Sequence, residues 1–126
     1  MKILIVEDEY NLADIIKDRL VKEKYTINIC VDGGEVTLNI KNQQVNGNIV
    51  VDYISTLEMN LKNKSIYEGT INTDNTAKSI KLTLDKTSKI KLTGDPYVTS
   101  LEDADESYSN IDFNGYKLYV NGKAIN

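Results

Sequence analysis

Residues 36–42 read V-T-L-N-I-K-N, and residues 57–63 read L-E-M-N-L-K-N. Laid over one another at a spacing of 21, they share three apolar positions, an Asn, a Lys and a final Asn. I-K-L-T-L-D-K (80–86) keeps the apolar positions 23 residues further on. The segments between them match too. G-N-I-V-V-D (47–52) and G-T-I-N-T-D (69–74) share Gly, Ile and Asp at a spacing of 22, and V-N-G stands at both 45–47 and 120–122. Within each segment apolar and polar residues alternate: Val36, Leu38, Ile40; Leu57, Met59, Leu61; Ile80, Leu82, Leu84; then Ile90 and Leu92, Ile111 and Phe113, Leu118 and Val120. Period two is that of strands with one buried face. A longer period slightly above ~20 residues is that of a solenoid coil, which cannot bury its inward side chains alone and does so by stacking on its neighbours. A β-sandwich also supplies short alternating strands, but it has no reason to repeat Asn and Gly at fixed offsets. The expected fold is mainly β, a β-solenoid over 36–126.

The pattern changes on the N-terminal side of residue 35. K-I-L-I-V (2–6) is a continuous apolar run suited to a strand buried on both faces. Asn11 is placed to cap a helix over 11–24, with Leu12, Ile15, Ile16, Leu20 and Val21 on one face and Asp14, Lys17, Asp18, Lys22 and Glu23 on the other. T-I-N-I-C-V (26–31) is a second strand, and Asp32-Gly33-Gly34 signals a turn. At the other end, Asp95–Ser109 carries the chain's one Pro, Pro96, and the acids Glu102, Asp103, Asp105 and Glu106. It reads as a solvated loop interrupting the third coil. A calcium site is the competing reading, because hard cations want several carboxylates, but the glycine and terminal bidentate Glu of an EF-hand loop are missing.

Composition narrows the chemistry. The 126 residues suit one domain, with 15 basic against 19 acidic groups and a net charge of −4. That balance disfavours nucleic acid, which needs a basic surface to displace counterions. The chain has no His and no Trp, so imidazole catalysis and His-ligated zinc are excluded. Arg19 is the only Arg, which leaves little for bidentate phosphate recognition. Cys30 has no partner for an intramolecular disulfide and reads as a small strand hydrophobe. No run approaches the ~18 apolar residues of a membrane span, and M-K-I-L-I-V is followed by acids where a signal peptide needs small residues. The expected location is cytoplasmic. Fourteen Asn, fourteen Lys and ten Thr fit a turn-rich β protein.

Two resemblances follow from these residues. M-K-I-L-I-V-E-D-E-Y-N-L-A-D-I-I-K-D-R-L-V-K-E-K-Y with T-I-N-I-C-V-D-G-G-E resembles the first strand, helix and second strand of a bacterial response-regulator receiver domain. The resemblance implies that Glu7 and Asp8 hold Mg2+, a hard cation suited to oxygen ligands. It also implies a phosphoacceptor at the end of a third strand, where N-I-V-V-D (48–52) offers Asp52, and a hydroxyl further on, where Thr93 is the candidate. The family's Lys is missing, with Ser100 in its place, and no helical pattern fills 36–47. The repeat gives Asp52 another account, as the partner of Asp74 at a turn of the coil. Residues 36–125 resemble the right-handed parallel β-helix repeat regions of bacterial surface and adhesin-like proteins, which implies a right-handed solenoid and an exported scaffold.

The chain therefore reads as a fusion or chimera, with a receiver-like β-α-β fragment at 1–35 and a β-helix repeat region at 36–126. The two parts are compatible, because a right-handed β-α-β crossover winds in the same sense as a right-handed solenoid. Strands 2–6 and 26–31 then pair and continue as the first coil, with the helix over the side or the open end as a cap against edge-to-edge association. The expected function is a non-catalytic structural or surface-interaction module, with no bound cofactor and with carbohydrate, another protein or a second copy as partner. Tyr53, Tyr67, Tyr97, Tyr108, Tyr116 and Tyr119 are the candidates for stacking on sugar rings. The alternative is a phosphoaccepting switch with Mg2+ at Glu7 and Asp8 and Asp52 as acceptor. A carboxylate pair for glycoside hydrolysis among the nineteen acids ranks below both.

Overall fold

The computed structural model describes residues 2–6, 24–31 and 34–126. Its strands are β1 (Lys2–Val6), β2 (Lys24–Val31), β3 (Gly34–Lys41), β4 (Gln44–Val51), β5 (Ser55–Lys62), β6 (Ile66–Ile71), β7 (Ser79–Leu84), β8 (Lys89–Leu92), β9 (Tyr97–Val98), β10 (Ser100–Asp103), β11 (Ile111–Asp112), β12 (Tyr119–Val120) and β13 (Lys123–Ala124). Alternate strands go to alternate sheets. The first sheet has six strands in the order β1-β2-β4-β6-β8-β11, the second has four in the order β10-β7-β5-β3, and a small third has the order β13-β12-β9. All pairings within the first two sheets are parallel. The stack is a β-solenoid of about four turns.

The repeat spacings become strand registers. The spacing of 21 sets Val36 beside Leu57, Leu38 beside Met59 and Ile40 beside Leu61, and the next step continues these columns through Ile80, Leu82 and Leu84. The spacing of 22 sets Gly47 beside Gly69 and Ile49 beside Ile71. Each inward column is a stack of like apolar residues, and those from Val36 to Leu92 are at most 2% exposed. Fully burying one such side chain is worth roughly 1.5–3 kcal/mol. Fixed columns therefore make the register costly to slip, since a one-residue shift would turn every inward side chain to water.

Asn at the corners lets the chain turn. Asn42, Asn63, Asn72, Asn75, Asn114 and Asn121 all have positive φ, a backbone region that Asn tolerates better than most residues. Asn121 and Gly122, at φ 50 and 83, form the two-residue turn between the antiparallel strands β12 and β13, as a type I′ hairpin requires.

Several expectations change against these strands. β1 and β2 do pair in parallel, whereas the helix expected over 11–24 lies almost wholly outside the described residues. The boundary at 35/36 falls inside β3. Asp95–Ser109 is not one projecting loop: Tyr97–Val98 starts the third sheet, and Ser100–Asp103 pairs with β7. The interruption is confined to the corner at 104–110. The two V-N-G triplets are not equivalent either, since the first lies in β4 and the second spans the β12–β13 hairpin turn.

Candidate functional site

Among the described residues, polar side chains gather at the corners, and most of them hold the corners together. Asp52 follows the last residue of β4. Its Oδ1 accepts from the Ile54 N–H at 3.3 Å and from the Ser55 hydroxyl, and its carbonyl accepts from the Ser55 N–H at 3.2 Å. This is an Asx turn. Asp74 does not repeat it, because β6 ends at Ile71 and the corner begins at once. Asn72 takes the role instead, with Oδ1 accepting from the Thr76 and Ala77 N–H groups at 3.0 and 3.2 Å. Asp74 is exposed. Glu7 and Asp8 lie outside the described residues. In the first sheet β2 separates β1 from β4, whereas the doubly wound order 2-1-3 would make β1 and the acceptor strand neighbours.

The opposite corner is tied from coil to coil. Asp85 accepts the Thr87 and Ser88 N–H groups at 2.9 Å each and the Thr87 hydroxyl at 2.8 Å, and it reaches the preceding coil to accept the Asn63 N–H at 2.8 Å. Burial opposes ionisation of Asp85, but the hydrogen bonds from Asn63, Thr87 and Ser88 outweigh it and bring its pKa down to about 2. Ser65 is fully buried, with its hydroxyl 2.6 Å from Lys62 O and 2.9 Å from Ile40 O.

The acidic corner in the last coil differs. Asp105 spends both oxygens on its own loop, accepting N–H and hydroxyl bonds from Ser107 and Ser109. These bonds lower its pKa to about 2. Asp103 Oδ1 accepts from the Asp105 N–H at 2.9 Å and from Asn110 Nδ2 at 3.0 Å. Its Oδ2 and Asn110 Oδ1 are buried with no hydrogen-bond partner among the described residues. Asn110 is 7% exposed. Glu102 faces Lys81 at 3.7 Å across β7 and β10, an exposed pair of little energetic weight. No group of three or more His, Cys, Asp or Glu side chains among the described residues is placed to hold a metal ion.

The tyrosines do not form one sugar-binding face. Tyr67 is 1% exposed and belongs to the core. Its hydroxyl lies 2.9 Å from Gly47 O and 3.0 Å from Thr70 O, and burial raises its pKa, so it keeps its proton. The signal was present in the sequence: at a spacing of 22, Tyr67 falls on inward Val45. Tyr97 and Tyr119 are register partners whose rings stack at 4.6 Å and 5°. Tyr108 packs against the core. Tyr53 and Tyr116 are exposed, and Tyr53 stands beside exposed Val50 and Ile54.

A feature that no sequence motif marks lies where the second sheet ends. An open cavity of about 450 Å3 beside β7 and β10 is lined by Leu84, Leu101, Asp103, Ala104, Glu106 and Tyr108, among others. Among the described residues, no helix is long and apolar enough to cross a membrane. Compared with family models, curated proteins and solved structures, the chain matches none.

Proposed function

We propose that this chain is a non-catalytic, right-handed β-solenoid module for structure or surface interaction, with residues 1–35 as a β-α-β unit serving as its first coil and cap. The observation that carries the reading is the use of polar side chains. Asp52, Asp85 and Asp105, carboxylates that could have served chemistry, accept hydrogen bonds from their own corners or the preceding coil. A group so engaged is a poor general base and a poor nucleophile.

Two observations support the cap. β3 is the terminal strand of the second sheet, yet Val36, Leu38 and Ile40 are 2%, 1% and 0% exposed. The order β1-β2-β4 also advances steadily along the first sheet. A β1–β2 connection wound in the same sense as β2–β3–β4 would pass on the second sheet's side, beside β3. Parallel crossovers in one sheet are right-handed in nearly all cases. An amphipathic segment there would turn Leu12, Ile15, Ile16, Leu20 and Val21 to the end of the core.

The cap is tested with an Ile16→Lys/Leu20→Lys variant in sedimentation velocity. Association of the variant at concentrations where the parent is monomeric is the expected result, and an unchanged monomer sinks the cap. For function, a small phosphodonor and Mg2+ should leave no acid-labile, hydroxylamine-sensitive label on the folded chain. A label that disappears in Asp52→Asn would overturn the scaffold reading in favour of the phosphoaccepting one. A glycan array at background would remove carbohydrate as the partner and leave protein.

A further inference from the structure

The second sheet's inward columns do not end as they begin. Ile40, Leu61 and Leu84 are followed in register by Asp103, and Leu38, Met59 and Leu82 by Leu101. Just before β10, Thr99 meets Ile80, its N–H donating to Ile80 O at 2.8 Å and its hydroxyl accepting from the Ile80 N–H at 3.0 Å. β10 and the residue before it therefore place Thr, Leu and Asp where three earlier strands place only apolar residues. It pairs on one side with β7 and is the last strand of its sheet. The first sheet continues to β11 and the third to β12 before β13 turns back.

Three independent features meet at this edge. The first is a strand whose alternation directs the Leu101 and Asp103 N–H groups away from β7, because the register with β7, continued by the Ala104 N–H donating to Leu84 O at 3.0 Å, turns Ser100 and Glu102 toward it. The second is the cavity beside it, with Leu84, Leu101 and Tyr108 as apolar walls and Asp103 and Glu106 as acids. The third is a pair of buried acceptors, Asp103 Oδ2 and Asn110 Oδ1, each without a donor. Buried acceptors are nearly always satisfied, and each orphan asks for a donor.

We propose that the free edge of β10 docks an extended segment of a partner protein, added as a parallel strand, with apolar side chains opposite Thr99 and Leu101 and a lysine or arginine opposite Asp103. The cation supplies the donor that Asp103 Oδ2 and Asn110 Oδ1 lack, and the acids Glu102, Asp103 and Glu106 complement its charge. Main-chain bonds to Leu101 and Asp103 give affinity, and the side-chain alternation gives specificity. The proposal rests on the reading of the chain as an interaction module, and it is independent of the cap.

The test uses the full chain and fluorescein-labelled acetyl-Val-Thr-Ile-Thr-Lys-Thr-amide in fluorescence anisotropy. The control, Val-Thr-Ile-Lys-Thr-Thr, has the same composition with the lysine on the outward face. Saturable binding is expected, about tenfold weaker for the control and for Asp103→Asn, as for loss of one buried charge-assisted contact. Leu101→Pro removes an edge N–H and is expected to abolish binding, whereas Leu101→Ala should weaken it only a few-fold, with thermal unfolding confirming that each variant is folded. Equal binding of the two peptides, no binding to the parent, or full binding to a folded Leu101→Pro would each overturn the proposal. Self-association of the parent that Leu101→Pro removes would assign the edge to a second copy, and would overturn it too. None of these outcomes touches the phosphodonor or cap experiments.

Discussion

The two ends of the second sheet are made from the same columns and finish in opposite ways. At β3 the inward residues are Val36, Leu38 and Ile40, and all three are buried although no described strand lies beyond them in that sheet. At β10 the corresponding positions are Thr99, Leu101 and Asp103, exposed or half-buried. An apolar end needs a cover, while a polar end meets water or a partner directly. An inward acid on a terminal strand is one way natural sheets prevent uncontrolled pairing. The chain thus changes its side-chain chemistry at one end, and the proposed cap would cover the other.

The comparison is broken most severely from the middle, where the two ends are joined by stacked coils. A Cβ on Gly69 would lie 1.8 Å from Gly47 O and 2.8 Å from the Tyr67 hydroxyl. The first contact is with backbone of the neighbouring coil, which cannot move without parting the strands. Gly69→Ala is expected to cost about 3 kcal/mol or more, read as a large fall in the urea midpoint. An unchanged midpoint would mean that the coils are not stacked in this register. Next in size is a contrast between the ends. Leu38→Ala should cost about 3 kcal/mol, as for a fully buried leucine, and Leu101→Ala about 1 kcal/mol, because it is already half in water. Equal losses in thermal unfolding would remove the difference between the two ends.

The sequence carried the middle of the molecule better than either end. Spacings of 21, 22 and 23 translate directly into the β3–β5, β4–β6 and β5–β7 registers, because stacked coils of nearly constant length put like residues beside like. The step from β7 to β10 is only 19 residues, Lys81 to Ser100. The third sheet also enters between β8 and β10, so the period that revealed the earlier coils hides the last one. Asp103 consequently looked like one acid of a solvated cluster rather than the end of the Ile40–Leu61–Leu84 column. Tyr67 differs for a simpler reason: its residue type suggests a sugar-stacking surface, whereas the spacing of 22 sets it on inward Val45. Asp52 was legible as a turn residue, although its supposed equivalence to Asp74 failed when the next corner opened early.

Two smaller effects sharpen the picture of how coils are tied. Tyr67→Phe keeps the ring and removes the one proton shared between Gly47 O and Thr70 O, at an expected cost of about 1 kcal/mol in urea unfolding. A loss near zero would show that the hydroxyl adds nothing beyond ring packing. The smallest effect is acid sensitivity at the corners. Asp85 and Asp105 both have pKa values lowered to about 2 from a usual 3.8. A depressed carboxylate pKa stabilises the fold fully above its unfolded value, and the contribution disappears as pH falls toward the folded one. The window is therefore roughly pH 4 to 2, with stability falling as acid is added. For Asp85, solvent screening holds the effect to roughly a few tenths of 1 kcal/mol. The two acids should differ in reach rather than sign. Asp85 accepts from Asn63 of the preceding coil, whereas Asp105 accepts only from Ser107 and Ser109 of its own loop. Amide exchange, corrected for intrinsic rates, should show Asn63 losing protection between pH 4 and 2, and Asp85→Asn should remove that dependence. If acid instead loosens only 105–109 and leaves Asn63 unchanged, the inter-coil bond at Asp85 does not hold the stack.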